Sequence, residues 1–125
     1  MLDHWLSKLT ALGVEQFLIN THYRQELVKE FCENHPLRDR IQLVEEKHLL
    51  GTGGTVKRNL NFFGAEDSFI VHVDNYCQDN LIGMKNLFAH RPDEVCMTML
   101  TFKSENPSAC GIVKTDQANI MIFGI

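Results

Sequence analysis

The chain has 125 residues, 44% of them hydrophobic and 22% charged, with a formal net charge of −4. That length suits one domain with a buried core. The acidic balance, without any interleaving of basic and aromatic residues, excludes nucleic acid as a main partner. No apolar run approaches the roughly 18 residues that a membrane-spanning helix needs, and the opening "MLDHWLSKL" is amphipathic rather than a signal peptide. The cysteines Cys32, Cys77, Cys96 and Cys110 contain no C-x-x-C pair. Reduced thiols in a cytoplasmic protein are therefore expected, not a disulfide framework or a zinc site.

In chain order, Leu2, Trp5, Leu6, Leu9 and Leu12 fall at helical spacing, with Gly13 placed to stop the helix. "QFLIN" (Gln16–Asn20) reads as a short buried strand, and "RQELVKEFCEN" (Arg24–Asn34) as a helix ending before Pro36. "IQLVEE" (Ile41–Glu46) is a second strand, followed by the glycine-rich "LLGTGG" and a helix to about Leu60. "DSFIVHVDN" (Asp67–Asn75) has the apolar composition of a central strand. "LIGMKNLFAHR" follows as a helix, and "EVCMTMLTF" (Glu94–Phe102) as a strand. "CGIVKTD" and "NIMIFGI" form a closing hairpin around "DQAN". Strands alternating with helices predict an α/β fold, layered, with a largely parallel sheet. Ligands gather in such sheets where strands end, which singles out the loops after Asn20, Glu46 and Val73.

The glycine loop matches neither the G-x-x-x-x-G-K-[ST] phosphate loop nor the G-x-G-x-x-G dinucleotide fingerprint. Gly53 and Gly54 lack Cβ atoms and would let a ligand approach the backbone, while Thr52 or Thr55 would cap the helix. Taken alone, the loop reads first as a turn that needs positive φ. Asp74 closes an apolar strand, where a carboxylate is suited to Mg²⁺ bridging phosphate oxygens or, more simply, starts a turn with Asn75. His72 reads as a packed core residue and Cys77 as a small buried hydrophobe. Gly111 is either a point of close ligand approach or a strand-start glycine.

Together and in this order, the motifs resemble the sugar-phosphate nucleotidyltransferases, especially the mannose-1-phosphate guanylyltransferase and glucose-1-phosphate thymidylyltransferase group. The carrying segments are "LDHWLSKLTALGVEQFLINTHY", Glu46 with "LLGTGG" where the family has "LLGTAG", "VDN" for its "GDN", and "CGIV" for its "YGVV". The resemblance implies a Rossmann-like three-layer sandwich over residues 1–125 and the reaction of a nucleoside triphosphate with a sugar 1-phosphate. Products would be a nucleotide sugar and pyrophosphate. It places Glu46, Gly51, Thr52, Gly53 and Gly54 beside the nucleoside, Asn75 and Gly111 near the sugar, and Asp74 on Mg²⁺.

Departures from the pattern shape further expectations. The family's first strand and its G-x-G-T-R triphosphate loop have no counterpart here, and the chain stops before the family's E-K-P. The chain is therefore expected to be truncated at both ends and not to make nucleotide sugars alone. The alternative is a non-catalytic module that binds nucleotide sugars or self-associates. The family's first strand lies between "QFLIN" and "FIVHVDN". Without it those two strands are expected either to close up or to be completed by another chain, as a homo-oligomer or strand-exchanged dimer.

Overall fold

The computed structural model describes residues 1–115 and 121–122. They fall into two compact units, Met1–Asn80 and Leu81–Ile125.

The first unit opens with helix α1, Leu2–Ala11. Its apolar stripe is the one the spacing predicts: Trp5, Leu6, Leu9 and Leu12 are buried together with Phe17 and Cys32. The helix stops where Gly13 takes φ +92°. The Gly13 amide donates to the Thr10 carbonyl and the Val14 amide to that of Leu9, each at 3.0 Å. This left-handed cap satisfies carbonyls the helix would leave unpaired.

Strand β1 (Phe17–Thr21) and strand β2 (Ile41–Glu45) pair in parallel, Phe17 opposite Ile41 and Thr21 opposite Glu45. Between them runs α2, Gln25–Asn34, the crossover that a parallel pair requires. It ends at His35, which is extended because Pro36 follows. Arg40 ties the two strand starts together. Its Nε donates to the Glu15 carbonyl at 2.6 Å, a second guanidinium nitrogen donates to that of Val14, and the ion lies 5.5 Å from the Phe17 ring centre.

Helix α3, Gly51–Arg58, and the short α4, Leu60–Phe63, follow β2. The predicted strand Asp67–Asn75 does not form; the segment is irregular and ends in a turn, the Asn75 amide donating to the His72 carbonyl at 3.1 Å. A strand gains its backbone hydrogen bonds only from a neighbour. Among the described residues β1 pairs with β2 alone, so the two apolar segments have not closed up. Ile70 is consequently 58% exposed and Val73 42%.

In the second unit, helix α5 (Ile82–Ala89) follows the buried Leu81. Arg91 closes its end, stacking 3.5 Å from the Phe88 ring centre and donating to the carbonyls of Phe88 and Val95. The predicted strand Glu94–Phe102 is also irregular, for the same want of a pairing partner, and Phe102 is 80% exposed. The closing hairpin does form, as strands β3 (Lys114–Thr115) and β4 (Met121–Ile122) paired antiparallel; its "DQAN" connection lies outside the described residues. The α/β class is thus as the sequence indicates, and the first two strands pair in parallel. No helix among the described residues is long and apolar enough to cross a membrane.

Candidate functional site

The carboxyl ends of β1 and β2 lie side by side, and Glu46 leaves β2 there with no exposed surface. An ionised carboxylate without water must find donors inside the protein. Thr55 supplies the strongest, its hydroxyl donating to Oε1 at 2.6 Å, and the Leu50 amide donates to Oε2 at 3.3 Å. The Asn20 side-chain amide, from the end of β1, reaches the Thr55 hydroxyl at 3.5 Å. These donors hold the Glu46 carboxyl below its ordinary pKa: the Thr55 hydroxyl contributes most, burial opposes it, and the Leu50 amide, Arg58 charge and Asn20 assist.

The main chain of Glu46 is equally committed. Its amide donates to the Thr21 carbonyl at 2.9 Å, and its carbonyl accepts from His22 Nδ1 at 2.7 Å and Gln25 Nε2 at 3.4 Å. The start of α3 is therefore not capped by Thr52 or Thr55, as expected from sequence; Leu50 holds the N-cap position without a side-chain bond, and Glu46 reaches up from below. Thr55 is instead spent on Glu46.

The lowered pKa of Glu46 has a consequence for stability. A group depressed on folding stabilises the fold above its unfolded pKa and loses that contribution as pH falls through the folded value. The thermal midpoint is expected to drop as pH falls below about 4.3, and more steeply in the wild type than in Glu46→Gln. Thermal denaturation across acid pH checks this; parallel slopes for the two proteins would rule it out.

Above this anchor, Gly51, Thr52 and Gly53 form an exposed face. A Cβ added at Gly51 or Gly53 would meet nothing within 4 Å, whereas one at Gly54 would lie 2.8 Å from Leu50 Cβ. Gly51, at φ +69°, makes the left-handed turn that brings the chain into the helix. Thr52 Oγ1 and His72 Nε2 share a hydrogen bond of 3.2 Å. His72 is thus exposed and paired to the glycine helix rather than packed in a core.

That contact brings the segment carrying Asp74 and Asn75 to the glycine helix. Both residues are exposed. Their turn is fixed from α1: the Trp5 indole donates to the Asn75 carbonyl at 3.0 Å and His4 Nε2 to that of Cys77 at 2.9 Å, while the His4 ring lies 4.8 Å from that of Tyr76. Sequence reasoning passed over Asn20, His4 and Trp5 in these roles. Only Asn20 carried a signal, a polar residue ending an apolar strand.

Among the described residues, no three His, Cys, Asp or Glu side chains converge as a metal cage. A lone exposed carboxylate such as Asp74 suits Mg²⁺ in another way, because that ion keeps waters and is commonly held by one or two carboxylates plus substrate phosphates. Gly111 belongs to the second unit and is exposed. An open hollow of about 440 Å³ between α2 and β2 is lined by Lys29, Cys32, Arg38 and Glu45 but by none of the predicted site residues. Burial, aided by Glu33, pushes the Cys32 thiol up and so disfavours its thiolate. All four cysteines are free thiols.

The chain is 26% identical over 122 residues to a mannose-1-phosphate guanylyltransferase of Mycobacterium tuberculosis, covering 97% of this chain and 33% of that protein. It is 33% identical over 79 residues to an N-acetylmuramate α-1-phosphate uridylyltransferase of Caulobacter vibrioides, covering 60% of this chain and 33% of the relative. With a D-glycero-α-D-manno-heptose 1-phosphate guanylyltransferase of Campylobacter jejuni it shares 24% identity, over 97% of this chain and 52% of the relative. The chain thus spans a third to a half of these relatives. No solved structure matches it significantly. The sequence pattern of the family described as Nucleotidyl transferase matches residues 1–123, and the chain belongs to that family.

Proposed function

We propose that this chain carries the nucleoside-binding part of a sugar-1-phosphate nucleotidyltransferase. In that reaction a phosphate oxygen of the sugar 1-phosphate attacks the α-phosphorus of a nucleoside triphosphate. A new P–O bond forms as the bond to the β-phosphate breaks, giving a nucleotide sugar and pyrophosphate. The observation that carries this reading is the Thr52–His72 hydrogen bond, which sets the bare Gly51–Thr52–Gly53 face beside the turn bearing Asp74. A glycine face lets a base or ribose lie against backbone. Asn75, next to Asp74 in that turn, would contact the sugar. Asp74 is the residue to hold Mg²⁺, which would neutralise charge on the phosphates when bound. Such transfer rests on alignment and charge neutralisation, with no covalent enzyme intermediate. The free thiols suit a reducing compartment such as the cytoplasm.

A second element concerns partners. The edge of β1 that no described strand pairs and the exposed apolar segment around Ile70 and Val73 favour strand addition from another chain, giving a homo-oligomer or a strand-exchanged dimer. Light scattering during size-exclusion chromatography tests this, and a monomer at every concentration would end it.

For the nucleotide reading, thermal denaturation with nucleoside triphosphates and nucleotide sugars, with and without Mg²⁺, is the test. A ligand at 100 times its Kd stabilises the fold by about 2.7 kcal/mol. Thr52→Ala and Asp74→Ala are expected to reduce the shift, Asp74→Ala chiefly its Mg²⁺-dependent part. Both residues are exposed, so the midpoint without ligand should hold. Absence of any shift in the wild type would sink the reading.

A further inference from the structure

Every polar atom of Glu46 is engaged within the protein, and none of its surface meets solvent. A ligand lying on the exposed Gly51–Thr52–Gly53 face has no access to that carboxylate. Yet Glu46 joins every element on which the face depends. Its backbone closes the end of the β1–β2 pair through Thr21, His22 and Gln25, and its carboxylate takes the Leu50 amide immediately before the left-handed Gly51. More than a turn further on it takes the Thr55 hydroxyl, from the inner side of the same helix.

We propose that Glu46 is a positioning residue: its buried carboxylate clamps Leu50 and Thr55 and so fixes the direction in which the glycine helix leaves β2, without touching the ligand. The ligand half of this inference rests on the nucleotide reading above; the clamp itself does not. Two donors five residues apart, about 1.4 helical turns, define both the height and the rotation of the helix start, which a single bond leaves free. Thr52, on the outer side, is then presented to His72 and to ligand in one orientation. The lowered pKa of Glu46 keeps the clamp ionised at neutral pH.

The test uses the full chain and variants at both ends of the clamp. Amide hydrogen exchange is measured first without ligand. Glu46→Gln and Thr55→Val are each expected to speed exchange of the amides of residues 50–55 about tenfold or more, while Thr55→Ser, which keeps the hydroxyl, stays near wild type. Nucleotide affinity, measured with Mg²⁺ and GTP or dTTP as probes, is expected to fall about tenfold in Glu46→Gln and Thr55→Val and to recover in Thr55→Ser. Thr52→Ala should lose affinity with exchange unchanged.

Affinity lost in Glu46→Gln with unchanged exchange would make Glu46 a direct ligand contact and overturn the proposal. So would Thr55→Val retaining full affinity, because that variant breaks the clamp and leaves the carboxylate in place. Should neither probe bind the wild type, the nucleotide reading falls, while faster exchange in Glu46→Gln still upholds the clamp. Thr55→Val keeps the test open if Glu46→Gln does not fold.

Discussion

Trp5→Ala is expected to lower the thermal midpoint by more than about 10 °C. Trp5 is 7% exposed on the buried stripe of α1, and its indole N–H holds the Asn75 carbonyl at 3.0 Å. Truncating a buried tryptophan costs about 3–5 kcal/mol. In a unit of this size each kcal/mol moves the midpoint by about 4–8 °C. Trp5→Phe separates the two contributions, because it retains most of the apolar surface and removes the donor. It is expected to cost about 0.5–1.5 kcal/mol, the net worth of one hydrogen bond, because Asn75 is exposed and water can take its carbonyl. It should also speed amide exchange around Asp74 and Asn75, since the turn loses its tie to α1. Circular dichroism on heating checks the first effect and hydrogen exchange the second. A Trp5→Ala midpoint close to wild type would mean that α1 does not anchor this unit.

Two adjacent glycines are expected to respond with opposite signs. Gly53 lies on the exposed face of α3, has no positive φ, and has open space where a Cβ would stand. Alanine there should stabilise the protein by about 0.5–1 kcal/mol, the helix preference of alanine over glycine. Gly54 differs because the left-handed turn at Gly51 folds Leu50 back over it. An added Cβ would lie 2.8 Å from Leu50 Cβ, too near the backbone to swing aside. Gly54→Ala should therefore cost about 1–3 kcal/mol as overpacking and tilt the helix that Glu46 clamps. Chemical denaturation of both variants decides this. If both changes stabilise, the contact between Leu50 and Gly54 is not a real constraint.

The candidate site was partly legible beforehand. Glu46, the glycines and Asp74 stand out because a carboxylate after an apolar strand, or several glycines before a basic helix, are unusual in local sequence. Their division of labour was not legible, because it depends on which side of α3 faces inward. Thr55 turns in to Glu46 and Thr52 turns out to His72, although both are threonines in one short motif.

What the sequence by itself determined are the elements whose hydrogen bonds are local. Helix α1 with its Gly13 cap, α2 ending before Pro36, and the helix opened by the glycines all follow from periodicity and terminators within a few residues. The parallel sense of β1 and β2 agrees with the largely parallel sheet expected from strands alternating with helices. Only the tertiary structure decided the fate of Asp67–Asn75 and Glu94–Phe102. Both have strand composition, but a strand exists only where a neighbour takes its amides and carbonyls, and among the described residues neither segment has one. The same dependence on distant partners governs Glu46: a charged residue in the sequence becomes a buried clamp because β1, β2 and α3 meet around it.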